Sequence, residues 1–106
     1  MSEIRFYDDL SGQGRDNYDA TITPDGLLHL PAACGAHFPD GLADCLVRGG
    51  VLWLMPADDG SLELVQRTLA GARTVDLRDA WPEHPTGLVR ATWVAPLRRL
   101  EIARTF

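Results

Sequence analysis

Short apolar runs separated by tight-turn residues constrain the fold of this chain more than any other feature. The clearest case is the pair of runs LADCLVR (42–48) and VLWLMP (51–56), which flank Gly49-Gly50. Glycine adopts the positive φ angles that two-residue hairpin turns require, so this pattern predicts an antiparallel β-hairpin. The turn Pro24-Asp25-Gly26 predicts another hairpin, between strands at 18–23 and 27–30.

The remaining segments follow the same pattern with less regularity. A third hairpin is predicted from LVRATWVA and RLEIA around Pro96-Leu97-Arg98, because Leu100 and Ile102 alternate with polar neighbours. The segment TVDLRDAW (74–81) fits either a strand or one helical turn. The other predictions are a strand at 4–7, a polar loop at 8–17, a short helix at 31–38 that stops at 39–41, a strand within 61–69 and a loop at 82–87.

Length and composition predict a single domain over residues 1–106. The chain is 45% hydrophobic and 24% charged, which is typical of a globular protein. We expect a mainly β fold, with hairpins forming a small barrel or sandwich and one or two short helices. No apolar run approaches the ~20 residues that span a bilayer. The N-terminal sequence MSEIRFYDD lacks an apolar signal core, and two cysteines are too few for a disulfide framework, so we expect a cytoplasmic protein without membrane contact.

The distribution of charge disfavours nucleic acid as a partner. The chain has ten Arg, no Lys and fifteen acids, for a net charge of −5. Between Arg15 and Arg48 the sequence has no Arg or Lys and two histidines. Because DNA binding depends on phosphate neutralisation, we expect no DNA binding and instead an acidic face that suits a basic protein partner. The acids of this interval are Asp16, Asp19, Asp25, Asp40 and Asp44.

Residues 20–56 resemble the AbrB-type swapped-hairpin family, which includes the MazE-like antitoxins. The resemblance is carried by ITPDGLLHLP, the short helix PAACGAHF and the hairpin LADCLVRGGVLWLMP. It implies a homodimer in which two chains interleave their hairpins into one barrel. DNA-binding members carry Arg or Lys on the first strands and around the helix, whereas this chain has Asp19, Thr21 and Ala32 there. Residues from Ala57 onward have no counterpart in the family.

Four residues have types that bind zinc: His29, Cys34, His37 and Cys45. Two cysteines and two histidines can form a closed tetrahedral site. However, the chain has no C-x2-C pair, and Cys45 lies in an apolar strand where a buried thiol needs no ligand role. We therefore expect no metal site.

No catalytic or cofactor-binding signature is present. The sequence contains neither G-x-S-x-G nor H-E-x-x-H, and SGQGRD (11–16) lacks the phosphate-loop pattern. We expect no cofactor and no catalytic residue. A small enzyme or ligand-binding barrel, with a site that the sequence does not reveal, stays open as an alternative.

The tryptophans divide into two groups. Trp53 and Trp93 lie in apolar strands and are predicted to be core residues. Trp81 precedes Pro82 at the mouth of a loop, with Arg78 nearby. Trp and Arg are favoured interface anchors, although Trp81 could instead fold back over the edge of the core.

These observations favour a non-enzymatic interaction or adaptor module that forms a homodimer and presents unclosed hairpin edges to a partner protein. A swapped-hairpin DNA-binding regulator or antitoxin is the second interpretation. The predicted partner-binding residues are Asp19, Asp25, Asp40, Asp44, Arg78 and Trp81.

Overall fold

A computed structural model describes residues 15–104, which form a closed eight-stranded β-barrel. Every neighbouring pair of strands is antiparallel, and the order around the barrel is β1-β2-β6-β5-β3-β4-β8-β7. The predicted mainly β class is confirmed, and the architecture is a barrel rather than a sandwich. The elements are β1 (Arg15–Ile22), β2 (Leu27–Leu30), helix α1 (Ala32–Gly35), β3 (Leu42–Arg48), β4 (Val51–Pro56), β5 (Leu62–Gln66), β6 (Arg73–Asp76), β7 (Gly87–Val94), a 3-10 turn (Ala95–Leu97) and β8 (Arg99–Arg104).

The core fills the inside of the barrel, because successive side chains of a strand point to opposite faces. In β7, for example, Val89, Ala91 and Trp93 are buried, whereas Leu88 and Arg90 are exposed. All eight strands contribute buried apolar side chains to one continuous cluster. Within the described part of the chain, no helix is long and apolar enough to cross a membrane.

The three predicted hairpins are confirmed, but several boundaries differ. Strand β1 begins at Arg15 and pairs with β7 along its whole length, so the predicted loop 8–17 is wrong at its last three residues. The helix covers Ala32–Gly35 rather than 31–38. In the segment 74–81, residues 74–76 belong to strand β6. The predicted strand at 4–7 lies outside the described residues.

The pairing of β3 is uneven on its two sides. It pairs with β4 along six residues, from Ala43 to Arg48, but with β5 only at Leu42 and Ala43. Gly60, in the connection from β4 to β5, lies against the backbone of Ala43, where an added methyl would come within 2.7 Å of the Ala43 nitrogen. The hairpin of β3 and β4 therefore extends beyond β5 toward one end of the barrel.

We call this the hairpin end. It also carries the turn between β1 and β2 and the long connection between β6 and β7. The opposite end, which carries α1, is called the helix end.

A single chain closes this barrel. The resemblance predicted from the sequence implied a barrel shared by two chains, whereas one chain supplies the eight strands of this barrel. Within residues 15–104 each strand has two neighbours, so burial of the apolar faces does not require exchange of hairpins. The expectation of unclosed hairpin edges is wrong for most of the sheet and holds only for the outer part of β3. The swapped-hairpin dimer stays a prediction.

Candidate functional site

The four predicted partner-binding acids lie far apart on the barrel. Asp19 is exposed on β1 and Asp44 is exposed on β3, and these strands are four positions apart in a ring of eight. Asp25 lies in the turn after β1, at the hairpin end, and Asp40 precedes β3 at the helix end. These acids do not form one face, because β2, β6 and β5 are inserted between β1 and β3 around the barrel.

Arg78 forms a local ion pair at the hairpin end. Its Nη2 atom donates a hydrogen bond of 2.6 Å to Oδ2 of Asp76, and both side chains are exposed. The hydrogen bonds from Arg78 lower the pKa of Asp76 to about 2. The pKa of Asp25 is also lowered, mainly by a hydrogen bond from the Thr23 hydroxyl and less by the charge of Arg78. Arg78 is thus already paired within its own chain.

Trp81 lies over the edge of the core and is 4% exposed. Its backbone N–H donates a 2.8 Å hydrogen bond to the carbonyl oxygen of Leu77, which is itself buried. The interpretation that Trp81 folds back over the edge of the core is therefore confirmed, and this residue is not a protruding anchor.

The other two tryptophans have different environments. Trp93 is buried, as predicted. Trp53 is not a core residue, because Leu52 and Leu54 occupy the inward positions of β4 and Trp53 points outward. The guanidinium of Arg99 covers its ring, with Cζ 3.7 Å from the ring centroid. The core prediction for Trp53 fails because the run VLWLMP is apolar at every position and does not reveal which face is inward.

The four zinc-type residues are not brought together into one site, and three of them lie in separate places. His29 lies on the outer face of β2, where its Nδ1 is 3.0 Å from the Thr74 hydroxyl. Cys34 is buried under α1, and burial raises the pKa of its thiol to about 12. Cys45 is half-buried on β3, and its pKa is raised by burial and by Asp44. Within residues 15–104, no three His, Cys, Asp or Glu side chains are grouped as metal ligands would be.

An aromatic cluster at the helix end was not foreseen from the sequence. The His37 ring stacks on Trp93, with centroids 4.2 Å apart and planes 9° apart, and Phe38 packs edge-on against the same indole. The Nε2 atom of His37 is 3.3 Å from the Tyr18 hydroxyl. Burial lowers the pKa of His37, an effect that the charge of Asp16 opposes. Alternation alone indicates that Tyr18 and Trp93 point inward, but the register between β1 and β7 is what places both of them next to His37.

The outer part of β3 presents an unpaired edge. On one side, the Gly41 oxygen accepts a 2.8 Å hydrogen bond from the backbone N–H of Leu64 in β5. On the other side, the Leu42 oxygen accepts one of 3.2 Å from Ala57 next to β4. Because backbone groups alternate sides along a strand, those of Cys45 and Val47 point away from β4. Within residues 15–104, no strand pairs with that side of residues 44–48. We call this side the open edge.

Exposed apolar side chains flank the open edge on both faces. Leu46 is 44% exposed on the outer face, directly across from Trp53 on β4. Val47 is 38% exposed on the opposite face. There it lines a groove of about 640 Å³ between the hairpin tip and the connection from β6 to β7. The other residues that line the groove are Gly49, Gly50, Ala80, Trp81, Pro82, Glu83, Ala103 and Arg104.

These features make the open edge and its groove the candidate site. Comparisons of the chain with protein-family profiles, with curated proteins and with solved structures find no match.

Proposed function

We propose that this protein is an interaction module that binds a partner polypeptide by strand addition at the open edge. The observation that carries the proposal is the set of backbone groups of Cys45 and Val47, which point away from β4 and have no partner strand within residues 15–104. An extended polypeptide that pairs with such an edge gains main-chain hydrogen bonds. Pockets for its alternate side chains then provide specificity.

Side-chain contacts are available on both faces of an added strand. Alternate residues of the strand would face the groove, where Val47 and Ala103 offer apolar surface beside the buried Trp81. The groove also has one acidic and one basic residue, Glu83 and Arg104, which can orient polar groups of the partner. On the outer face, Leu46 is exposed and lies across from Trp53, whose ring carries the Arg99 guanidinium. The open edge thus combines backbone donors and acceptors with apolar contacts.

The course of the chain also explains why the strands within residues 15–104 leave this edge unpaired. The connection from β4 to β5 crosses β3 at Ala43, where Gly60 lies against its backbone. Strand β5 then continues toward the helix end, away from the hairpin tip. An unpaired edge with exposed apolar residues favours pairing with another chain unless it is protected.

The test is the substitution Val47→Pro. The Val47 N–H points away from β4, so proline removes a donor to an added strand without removing a bond of the β3–β4 ladder. The matched control is Val47→Thr, which keeps the N–H group and the β-branched shape. We expect proteins captured from the native host by the wild-type chain and by V47T to be lost with V47P. Both variants should keep the circular dichroism spectrum of the wild type.

Amide hydrogen exchange then locates the binding surface. With a captured partner bound, the Cys45 and Val47 amides should exchange more slowly than in the free protein. A partner that V47P retains, and that leaves both amides unprotected, would refute strand addition at this edge.

A further inference from the structure

We propose that the polypeptide added at the open edge is a second copy of this chain, paired antiparallel about a two-fold axis at Leu46. This inference rests on the proposed function and names its partner. In a two-fold pair the same segment forms both sides of the interface. Leu46 then lies opposite Leu46 of the second copy, and Cys45 lies opposite its Val47. The interface is one continuous sheet that joins the two barrels.

The charges of residues 44–48 are complementary when two copies of this segment pair antiparallel. Residues 44–48 read Asp-Cys-Leu-Val-Arg, so inversion about Leu46 brings Asp44 opposite Arg48 of the second copy, and Arg48 opposite its Asp44. Both side chains are exposed and share the outer face of β3 with Leu46. Within residues 15–104, the ion pairs involve neither of them. Opposite charges directly across an antiparallel pair stabilise the pairing.

The backbone pattern fits the same register. Directly opposed residues of an antiparallel pair must both point toward the partner or both point away from it. Cys45 and Val47 both point toward the open edge, so each Cys45–Val47 pair exchanges two N–H···O bonds. The backbone N–H and C=O groups of Leu46 point toward β4, because those of Leu42 do and the direction alternates along the strand. The two copies of Leu46 therefore form a non-hydrogen-bonded pair, whose side chains lie closer together.

Neighbouring registers are less favourable. A shift that brings Val47 opposite Val47 leaves Arg48 facing Leu46 and Asp44 facing Gly50 of the second copy. A shift that brings Cys45 opposite Cys45 moves Arg48 next to Leu42, which already pairs with Glu63 of β5. The register centred on Leu46 thus matches both charges and leaves the β3–β5 pairing intact.

The surroundings of the edge can accept a second barrel. A methyl group added at Gly49 or Gly50 would meet nothing within 4 Å, so the space around this turn is open. Neither glycine has a side chain that would obstruct the second copy. On the outer face, the paired leucines would be continued by Trp53 of each copy. A contact formed mainly by five residues of each chain is small, and interfaces under ~1,200 Å² are typical of weak association. We therefore expect a concentration-dependent dimer of about 23 kDa, twice the 11.6 kDa chain.

Charge exchange tests the register directly. The two-fold interface contains the pair of residues 44 and 48 two times. Asp44→Arg therefore creates two Arg–Arg pairs, and Arg48→Asp creates two Asp–Asp pairs. Each single variant should sediment as a monomer at concentrations where the wild type dimerises. An equimolar mixture of the two variants should dimerise, because every Arg then faces an Asp. The double variant D44R/R48D should dimerise with itself but should not exchange with wild type, which native mass spectrometry measures.

Cross-linking provides a second test. Non-hydrogen-bonded antiparallel pairs have Cα atoms ~4.5 Å apart, which is within the range of a disulfide. In a Cys45→Ala background, Leu46→Cys should form a covalent dimer on mild oxidation. Leu88→Cys in the same background is the matched control, because Leu88 is an exposed leucine on β7 and should stay monomeric.

The outcomes separate this inference from the proposed function. A wild-type chain that stays monomeric, or a mixture of D44R and R48D that stays monomeric, overturns the homodimer. If V47P nevertheless loses a captured partner whose binding protects Cys45 and Val47, strand addition stands with a different polypeptide. If both amides are protected in a wild-type monomer without partner, the edge is already covered within the same chain, and the homodimer is refuted.

Discussion

Burial determines the chemistry of individual side chains at the helix end of this barrel. Cys34 lies under α1, and the cost of desolvating its thiolate raises the pKa to about 12. This thiol therefore stays protonated and unreactive at neutral pH. His37 is partly buried against Trp93, and desolvation lowers its pKa, so that the neutral imidazole is favoured. At the hairpin end the exposed pair of Asp76 and Arg78 shows the opposite effect, because hydrogen bonding favours the charged carboxylate.

The first prediction concerns the pH dependence that His37 causes. Its pKa is lower in the folded chain than the ordinary value of 6.5, so the unfolded chain binds the proton more readily. The stabilisation is present above about pH 6.5 and is lost as the pH falls from there toward the folded pKa. We expect the wild type to lose more free energy of unfolding between about pH 7.5 and about pH 5.5 than His37→Phe does.

The size of this difference is small. His37 is only partly buried, so solvent screens the effect, and we expect less than the ~1.4 kcal/mol that a full pKa unit represents. Urea unfolding at each pH measures it. Equal slopes for wild type and H37F would show that His37 does not couple protonation to folding.

At the scale of secondary-structure elements, β3 has two roles. Its first residues lie between β4 and β5 and close the barrel, whereas residues 44–48 pair only with β4 among the described strands. The division occurs where the connection from β4 to β5 crosses the strand. Gly60 permits this crossing, because its missing side chain lets the connection lie against the backbone of Ala43. Gly60 thus lies at the point where the β3–β5 pairing ends and the open edge begins.

The second prediction is that Gly60→Ala destabilises the fold. The added methyl would lie 2.7 Å from the Ala43 nitrogen, and backbone cannot move aside as the end of a flexible side chain can. Overpacking of this kind costs about 1–3 kcal/mol in free energy of unfolding. Chemical denaturation measures the loss. Ser61→Ala, at the next exposed position, should change the free energy by less than about 0.5 kcal/mol. A Gly60→Ala protein as stable as S61A would contradict the close approach of the two segments.

On the scale of the whole molecule, closure of the barrel distributes the charges around its surface. Asp19 and Asp44 are far apart around the ring, and Asp25 and Asp40 lie at opposite ends. The net charge is −5, and no Arg occurs between Arg15 and Arg48. On the first two strands and α1 the charged residues are Arg15, Asp16 and Asp19 of β1, so these elements present no cluster of cations of the kind that a phosphate-binding protein needs.

The third prediction follows from this balance. We expect no binding of labelled duplex DNA at ~0.15 M salt in fluorescence anisotropy, because a negative surface repels phosphate. The repulsion should persist at lower salt, where screening is weaker. A low-micromolar dissociation constant that weakens steeply as salt is added would contradict it and would favour the swapped-hairpin regulator.

The sequence by itself determined the local elements of this protein. Gly49-Gly50 and Pro24-Asp25-Gly26 form turns because of their own backbone preferences, and the alternation in RLEIA directs Leu100 and Ile102 inward without help from other strands. Turn chemistry and side-chain alternation act between residues that are close in sequence, so they can be recognised before the fold is known.

Only the tertiary structure decided the order of the strands, and the candidate site depends on that order. Strand β1 extends back to Arg15 because β7 pairs with it, and Trp53 points outward because Leu52 and Leu54 fill the interior. Asp19 and Asp44 are separated because three strands lie between β1 and β3 around the barrel. Residues 44–48 of β3 form an open edge among the described strands because β5 pairs with just two residues of β3. The physical reason is that strand pairing joins residues distant in sequence through backbone groups that every residue possesses, so no local pattern specifies which strands become neighbours.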